Sequence, residues 1–115
     1  MATFDDPRHP VLPDAWRYDI SGFRYERPID GEESFLELTL RAGTDVRCLR
    51  FLSPQSIEVR EGFEPTGGLV VLDVRARGLS GLGVRVEDRE LGHGGVEFWA
   101  RDVEDRTATL PGAPA

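Results

Sequence analysis

Alternating apolar and polar residues fill the middle of the chain and predict β-strands. Residues 34–42 (SFLELTLRA) and residues 45–53 (DVRCLRFLS) both alternate with a period of two, and residues 43–44 (GT) separate them. We expect a hairpin in which Leu38 lies opposite Leu49. A slip of one residue would turn the apolar set of one strand to solvent, so the pattern specifies the register.

The same register gives the hairpin one apolar face and one charged face. It places Leu36 opposite Phe51 on the first face and Glu37 opposite Arg50 on the second. Opposite charges on directly facing residues stabilise neighbouring strands. The hairpin therefore predicts an antiparallel β-domain with its core on one side of this sheet.

The alternation in residues 16–26 (WRYDISGFRYE) changes phase at Gly22. Ile20 belongs to the apolar set before the glycine, and Phe23 and Tyr25 form the set after it. A glycine at a change of phase is typical of a β-bulge or a bend. We therefore expect one strand with an irregularity near its middle.

Residues 69–74 (LVVLDV) are apolar on both faces, which is typical of a central strand covered on both sides. Residues 84–91 and 96–103 predict a second hairpin around a three-residue loop at 92–94. This loop keeps the apolar positions of both strands on one face and would place Arg89 opposite Glu97.

Together with residues 55–60 (QSIEVR), these segments predict an all-β fold of about seven strands, a small antiparallel sandwich or partly open barrel. Little helix is expected, at most a turn near Ala15 or in residues 78–83. A chain of 115 residues is expected to form one domain. We expect an extended arm at residues 1–14, the β-domain at residues 15–104 and a disordered tail at residues 105–115.

Charge and composition narrow the classes of partner. The net charge is −7, and all 14 basic residues are arginines scattered along the strands. Nucleic-acid binding needs a basic stripe, so a nucleic-acid partner is not expected, whereas a protein partner or self-association is. The chain has one cysteine, no signal-peptide pattern and no apolar run of roughly 20 residues. We therefore expect a cytoplasmic protein that does not enter the membrane.

Catalytic chemistry has little support in the sequence. There is no lysine for a P-loop or a Schiff base, and neither histidine lies in a metal-ligand pattern. His93 in a glycine-rich loop and Asp73 in an apolar strand are the remaining candidates, and a structural role is the simpler interpretation of both. Cys48 is expected to be a packing residue. We predict no catalytic, cofactor-binding or metal-binding residue.

Trp99 is the strongest candidate for an interaction site. In the segment EFWAR it alternates with Phe98, so it shares a face with Glu97 and Arg101. Tryptophan and arginine are enriched at binding hot spots. These three residues form our candidate interface. The alternative is that Trp99 is packed beneath the N-terminal arm or a second layer.

The stretch at 67–90 (GGLVVLDVRARGLSGLGVRVEDRE), continued by GVEFWARDVE, resembles segments of small bacterial all-β proteins. Some of these are similar to immunity proteins of polymorphic toxin systems, which bind and block a cognate toxin. The resemblance covers at most residues 35–104 and implies no catalytic residues. It favours a non-enzymatic protein-binding module, with an immunity-type inhibitor as its sharpest form. The alternatives are a homo-oligomeric structural domain, and a small enzyme or ligand-binding barrel with a site near His93 and Asp73.

Overall fold

The structure is a computed structural model that describes residues 6–27, 31, 33–60, 69–88 and 95–110. In this part of the chain it contains eight strands and three short 3-10 turns. The strands are β1 (Asp19–Glu26), β2 (Phe35–Ala42), β3 (Asp45–Leu52), β4 (Gln55–Arg60), β5 (Leu69–Asp73), β6 (Val84–Asp88), β7 (Gly95–Ala100) and β8 (Asp102–Asp105). The turns are Ala15–Arg17, Arg75–Arg77 and Thr107–Thr109.

The strands form two antiparallel sheets that pack as a sandwich and do not close into a barrel. The first sheet has the order β1-β2-β3-β8, and the second has the order β4-β7-β6-β5. This confirms the predicted all-β sandwich with little helix. The strand count is eight because residues 96–103, predicted as one strand, bend at Arg101 into β7 and β8.

The predicted register of the first hairpin is confirmed. Leu38 pairs with Leu49, and Glu37 pairs with Arg50. The two leucines are almost completely buried, and Arg50 Nε donates to a Glu37 carboxylate oxygen at 2.8 Å. The apolar face of this hairpin therefore forms one side of the core.

The predicted bulge in the first strand is also confirmed. The pairing of β1 with β2 shifts register between Ile20 and Gly22. A Cβ atom at Gly22 would lie 3.1 Å from Thr39 Cβ, so the glycine allows the two strands to approach closely at this point. Beyond the bulge, Phe23 and Tyr25 share the core-facing side with their β2 partners.

The core lies between the sheets, and residues of the N-terminal segment contribute to it. Phe51 from the first sheet and Phe98 from the second meet edge to face, with ring centroids 4.9 Å apart. Leu12 and Tyr18 are buried in the same cluster. The Tyr18 hydroxyl donates to Asp45 at 2.5 Å, so its polar end is satisfied.

Residues 69–74 are buried on both faces as predicted, but β5 is an end strand of its sheet and not a central one. The N-terminal arm covers its outer edge. His9 N donates to the Val71 carbonyl at 2.8 Å, and Asp73 N donates to the Pro7 carbonyl at 2.9 Å. The apolar pattern correctly indicated that both faces of this strand are covered. It could not show that one edge of the strand is bordered by the N-terminal arm and not by another strand of the sheet.

The second hairpin keeps its predicted faces but not its predicted register. Phe98 pairs with Val86, whereas a register with Arg89 opposite Glu97 would place Asp88 opposite Phe98. That register is therefore wrong by two residues. A shift of two leaves every side chain on its own face, so alternation cannot detect it. The predicted loop at 92–94 lies outside the described residues.

Candidate protein-interaction surface

Trp99 lies on the outer face of the second sheet, opposite to the core face that carries Phe98. There it packs against a second apolar cluster formed by Val70, Leu72 and Val74, each at most 2% exposed. The indole is half-buried. A small second core therefore lies outside the main one, with Trp99 as part of its cover.

Two arginines contact the indole ring, Arg85 from β6 and Arg77 from the 3-10 turn Arg75–Arg77. The guanidinium carbon of Arg85 lies 4.8 Å from the ring centroid, and that of Arg77 lies 5.6 Å away. Arg77 Nε donates to Asp6 at 3.1 Å, and an Arg85 nitrogen lies 3.5 Å from a Glu97 oxygen. Cation–π contacts of this kind stabilise an aromatic ring on a protein surface. Trp99 and Glu97 are thus joined through Arg85.

Arg101, the third predicted interface residue, lies at the bend between β7 and β8. Its guanidinium donates two hydrogen bonds to Glu33, at 2.5 and 2.7 Å. Glu33 also accepts a hydrogen bond from the Ser53 hydroxyl at 2.5 Å. The bonds from Arg101 and Ser53 lower the pKa of Glu33 to about 2. Trp99, Arg101 and Glu97 remain a predicted interface, and each already has an intramolecular partner.

Asp73 has a structural partner rather than the surroundings of a general acid. Its carboxylate accepts hydrogen bonds from the Arg75 backbone N–H at 3.0 Å and from the Arg75 guanidinium at 2.6 Å. These bonds lower the pKa of Asp73 to about 2, the opposite of the raised pKa that an acid catalyst at neutral pH needs. His93, its proposed neighbour in the enzyme alternative, lies outside the described residues.

Cys48 has the surroundings of a packing residue. Its side chain is 3% exposed, and burial raises the pKa of its thiol. The segment after β8 folds back beside it: Cys48 N donates to Thr107 Oγ1 at 3.1 Å, and Arg106 N donates to the Cys48 carbonyl at 2.7 Å. Residues 105–110, which the sequence places in the predicted tail, thus continue β8 and a 3-10 turn. Residues 111–115 lie outside the described part.

In the described residues, no three histidine, cysteine or acidic side chains converge as a metal site would require. In the same residues, no helix has the length and apolar character needed to cross a membrane.

The apolar surface that the sequence did not reveal lies along β1. Phe23 is 39% exposed and Tyr25 is 44% exposed. Their β2 partners on the same side, Leu38 and Leu36, are fully buried. The second sheet therefore covers β2 but leaves these two aromatic side chains in contact with solvent. The alternating pattern identifies the side of the strand, and it carries no signal for how far the opposite sheet extends.

The four end strands differ in how their edges are protected. The arm borders β5, β8 is only four residues long with the acidic sequence DVED, and a bulge interrupts β4 between Gln55 and Glu58. Short strands, charges and bulges are the usual protection against edge-to-edge pairing. In the described part of the chain, β1 pairs only with β2, and its segment from Gly22 to Glu26 is regular. This segment and its aromatic side chains form what we call the β1 edge.

Comparison of the chain with protein-family models, with curated proteins and with solved structures finds no match in any of the three.

Proposed function

We propose that this protein is a non-enzymatic binding module whose contact surface for other proteins is the β1 edge. The observation that carries the proposal is the exposure of Phe23 and Tyr25 on an end strand that, among the described residues, pairs with one strand. An extended segment can add to such an edge through backbone hydrogen bonds, while alternate side chains supply specificity. Aromatic side chains beside the edge provide the apolar area that backbone pairing lacks.

The surrounding charges fit a protein partner. Arg24 and Glu26 are each about half exposed on the opposite side of the strand from the two aromatic residues. A partner strand would therefore meet an apolar row on one side and a charged row on the other. Backbone pairing with alternating side-chain contacts selects an extended polypeptide.

An immunity-type inhibitor is the sharpest form of this proposal. A net charge of −7 favours association with a basic partner, because long-range attraction steers the encounter. In this form, the partner is a basic bacterial toxin whose activity is blocked when the β1 edge is occupied. The support for it is the acidic composition and the available strand edge.

Site-specific photocrosslinking in the native host tests the binding proposal. A benzoylphenylalanine residue at position 25 places the reactive group on the β1 edge. The matched control carries it at Trp16, which is 53% exposed in the Ala15–Arg17 turn. We expect a discrete crosslinked protein band from position 25 and none from position 16.

The identity of the protein crosslinked at position 25 tests the immunity form of the proposal. A basic enzyme whose activity the purified protein suppresses would support the immunity form. If position 25 gives no adduct, or the same adducts as position 16, the β1 edge is not the contact surface and the proposal fails.

A further inference from the structure

We propose that the partner of the β1 edge is a second copy of this chain, paired antiparallel with Tyr25 on the two-fold axis. This inference rests on the proposed function, because it uses the same edge, and it assigns that edge to a second copy in place of the toxin of the immunity form. Two first sheets would then join into one continuous eight-stranded sheet. The argument comes from symmetry and from the charges of β1.

Symmetry restricts the possible registers. Two identical strands in one sheet are related by a two-fold axis perpendicular to that sheet, and this axis keeps each side chain on its own face. Directly opposite residues of an antiparallel pair also share a face. The axis must therefore pass beside a residue, which then lies opposite its own copy. Within the regular segment the central choices are Phe23, Arg24 and Tyr25.

Charge selects among these three registers. With Tyr25 on the axis, Arg24 of each copy lies opposite Glu26 of the other, which gives two complementary pairs. With Arg24 on the axis, two guanidinium groups lie directly opposite each other, which is destabilising. With Phe23 on the axis, the buried side chain of Ile20 would lie opposite Glu26, and the pairing would cross the bulge.

The two charged side chains that this register needs are half-exposed in one copy, and each already has an intramolecular partner. Arg24 is 54% exposed and Glu26 is 50% exposed, with 3.4 Å between their charged atoms. Arg24 is also held by Glu37 of β2 at 2.9 Å, so in the dimer it would contact Glu37 and Glu26 of the other copy together. Tyr25 would meet its copy on the aromatic side, and Phe23 would lie opposite the exposed Arg27 of the other copy. The contact spans residues 23–27 of each chain, so a weak and reversible dimer is expected.

Disulfide trapping tests the register. In a Cys48→Ala background, Tyr25→Cys should form a crosslinked dimer under mild oxidation, because directly opposite Cα atoms lie about 4.5–5.5 Å apart. Phe23→Cys is the matched control: in the proposed register, the two copies of residue 23 are offset by four positions, about 13 Å. Crosslinking of Phe23→Cys in place of Tyr25→Cys would overturn the register.

Charge reversal tests the pairing itself by sedimentation velocity at protein concentrations up to about 1 mM. The wild-type mass should rise with concentration. Glu26→Arg should weaken the dimer roughly tenfold or more, because it places two pairs of arginines opposite each other. The double variant Arg24→Glu/Glu26→Arg restores both opposite-charge pairs and should recover dimerisation. Thermal melts of each variant control for loss of fold.

A mixing experiment adds a result that folding defects cannot imitate. Arg24→Glu alone and Glu26→Arg alone should each be monomeric, and their mixture should form a heterodimer. A wild-type protein that stays monomeric at every concentration would overturn the self-pairing. If position 25 still photocrosslinks to a different protein in the host, the binding function survives that result. If position 25 gives no adduct, both proposals fail.

Discussion

Replacement of Trp99 by alanine should destabilise the monomer. A tryptophan that is half-buried on Val70, Leu72 and Val74 removes roughly 150 Å² of apolar surface from water. At about 25 cal/mol per Å², reduced for residual burial in the unfolded chain, this contributes about 2–3 kcal/mol. The contacts with Arg77 and Arg85 add roughly 0.5 kcal/mol each.

We therefore expect Trp99→Ala to lower the free energy of unfolding by about 3–4 kcal/mol. For a domain of this size, that corresponds to a fall in Tm of about 12–16 °C. Trp16→Ala is the matched control, because Trp16 is 53% exposed in a 3-10 turn. Its replacement should cost less than about 1 kcal/mol. Denaturant titration and thermal melting of both variants measure the difference.

The same two variants separate a stability role from an interface role at Trp99. If Trp99→Ala costs no more than Trp16→Ala, the packing argument for the second apolar cluster is refuted. If it leaves stability unchanged and abolishes association with a partner, the predicted interface of Trp99, Arg101 and Glu97 is supported at this position instead.

Four further substitutions test the core, the bend and the ion pairs. Leu72→Ala should cost about 2–5 kcal/mol in denaturant titration, because Leu72 is 2% exposed and its removal leaves a cavity. Gly83→Ala should cost about 1–3 kcal/mol in the same assay, because the new Cβ would lie 2.6 Å from the Arg101 carbonyl oxygen. Glu33 and Asp73 have folded-state pKa values of about 2, below the unfolded values near 4, so their stabilisation is complete above about pH 5 and is lost as the pH falls towards 2. Glu33→Gln and Asp73→Asn should each flatten the fall in unfolding free energy over that range, and an unchanged pH profile would contradict the assigned ion pairs.

The fold could be predicted from the sequence where a side-chain pattern and a turn act together. In the first hairpin, the two-residue turn after Ala42 and the alternating leucines allow one register only, and the structure has it. In the second hairpin, alternation alone allowed two registers with identical faces, and the predicted register was the one that the structure does not have. Period-two patterns determine faces, whereas register needs the turn as well.

The surroundings of the candidate site could not be predicted, because they depend on contacts between distant parts of the chain. Trp99 was correctly placed opposite Phe98, but its partner Arg77 comes from a 3-10 turn, and Asp6, which holds Arg77, comes from the arm. In the same way, alternation placed Phe23 with the core-facing residues and could not show that the opposite sheet ends before it. Exposure is a property of the packed layers and not of one strand.

The strands β5 and β1 both lie at the end of a sheet, and the difference in how their outer edges are protected follows from their sequences. The β5 sequence LVVLD is apolar on both faces and has high β-propensity, so an open edge there would invite indiscriminate pairing. The arm prevents this by bonding to Val71 and Asp73. The β1 edge instead alternates Phe23 and Tyr25 with Arg24 and Glu26. Pairing at β1 is penalised in any register that brings like charges together, so an edge that the described residues leave unpaired would still select its partner.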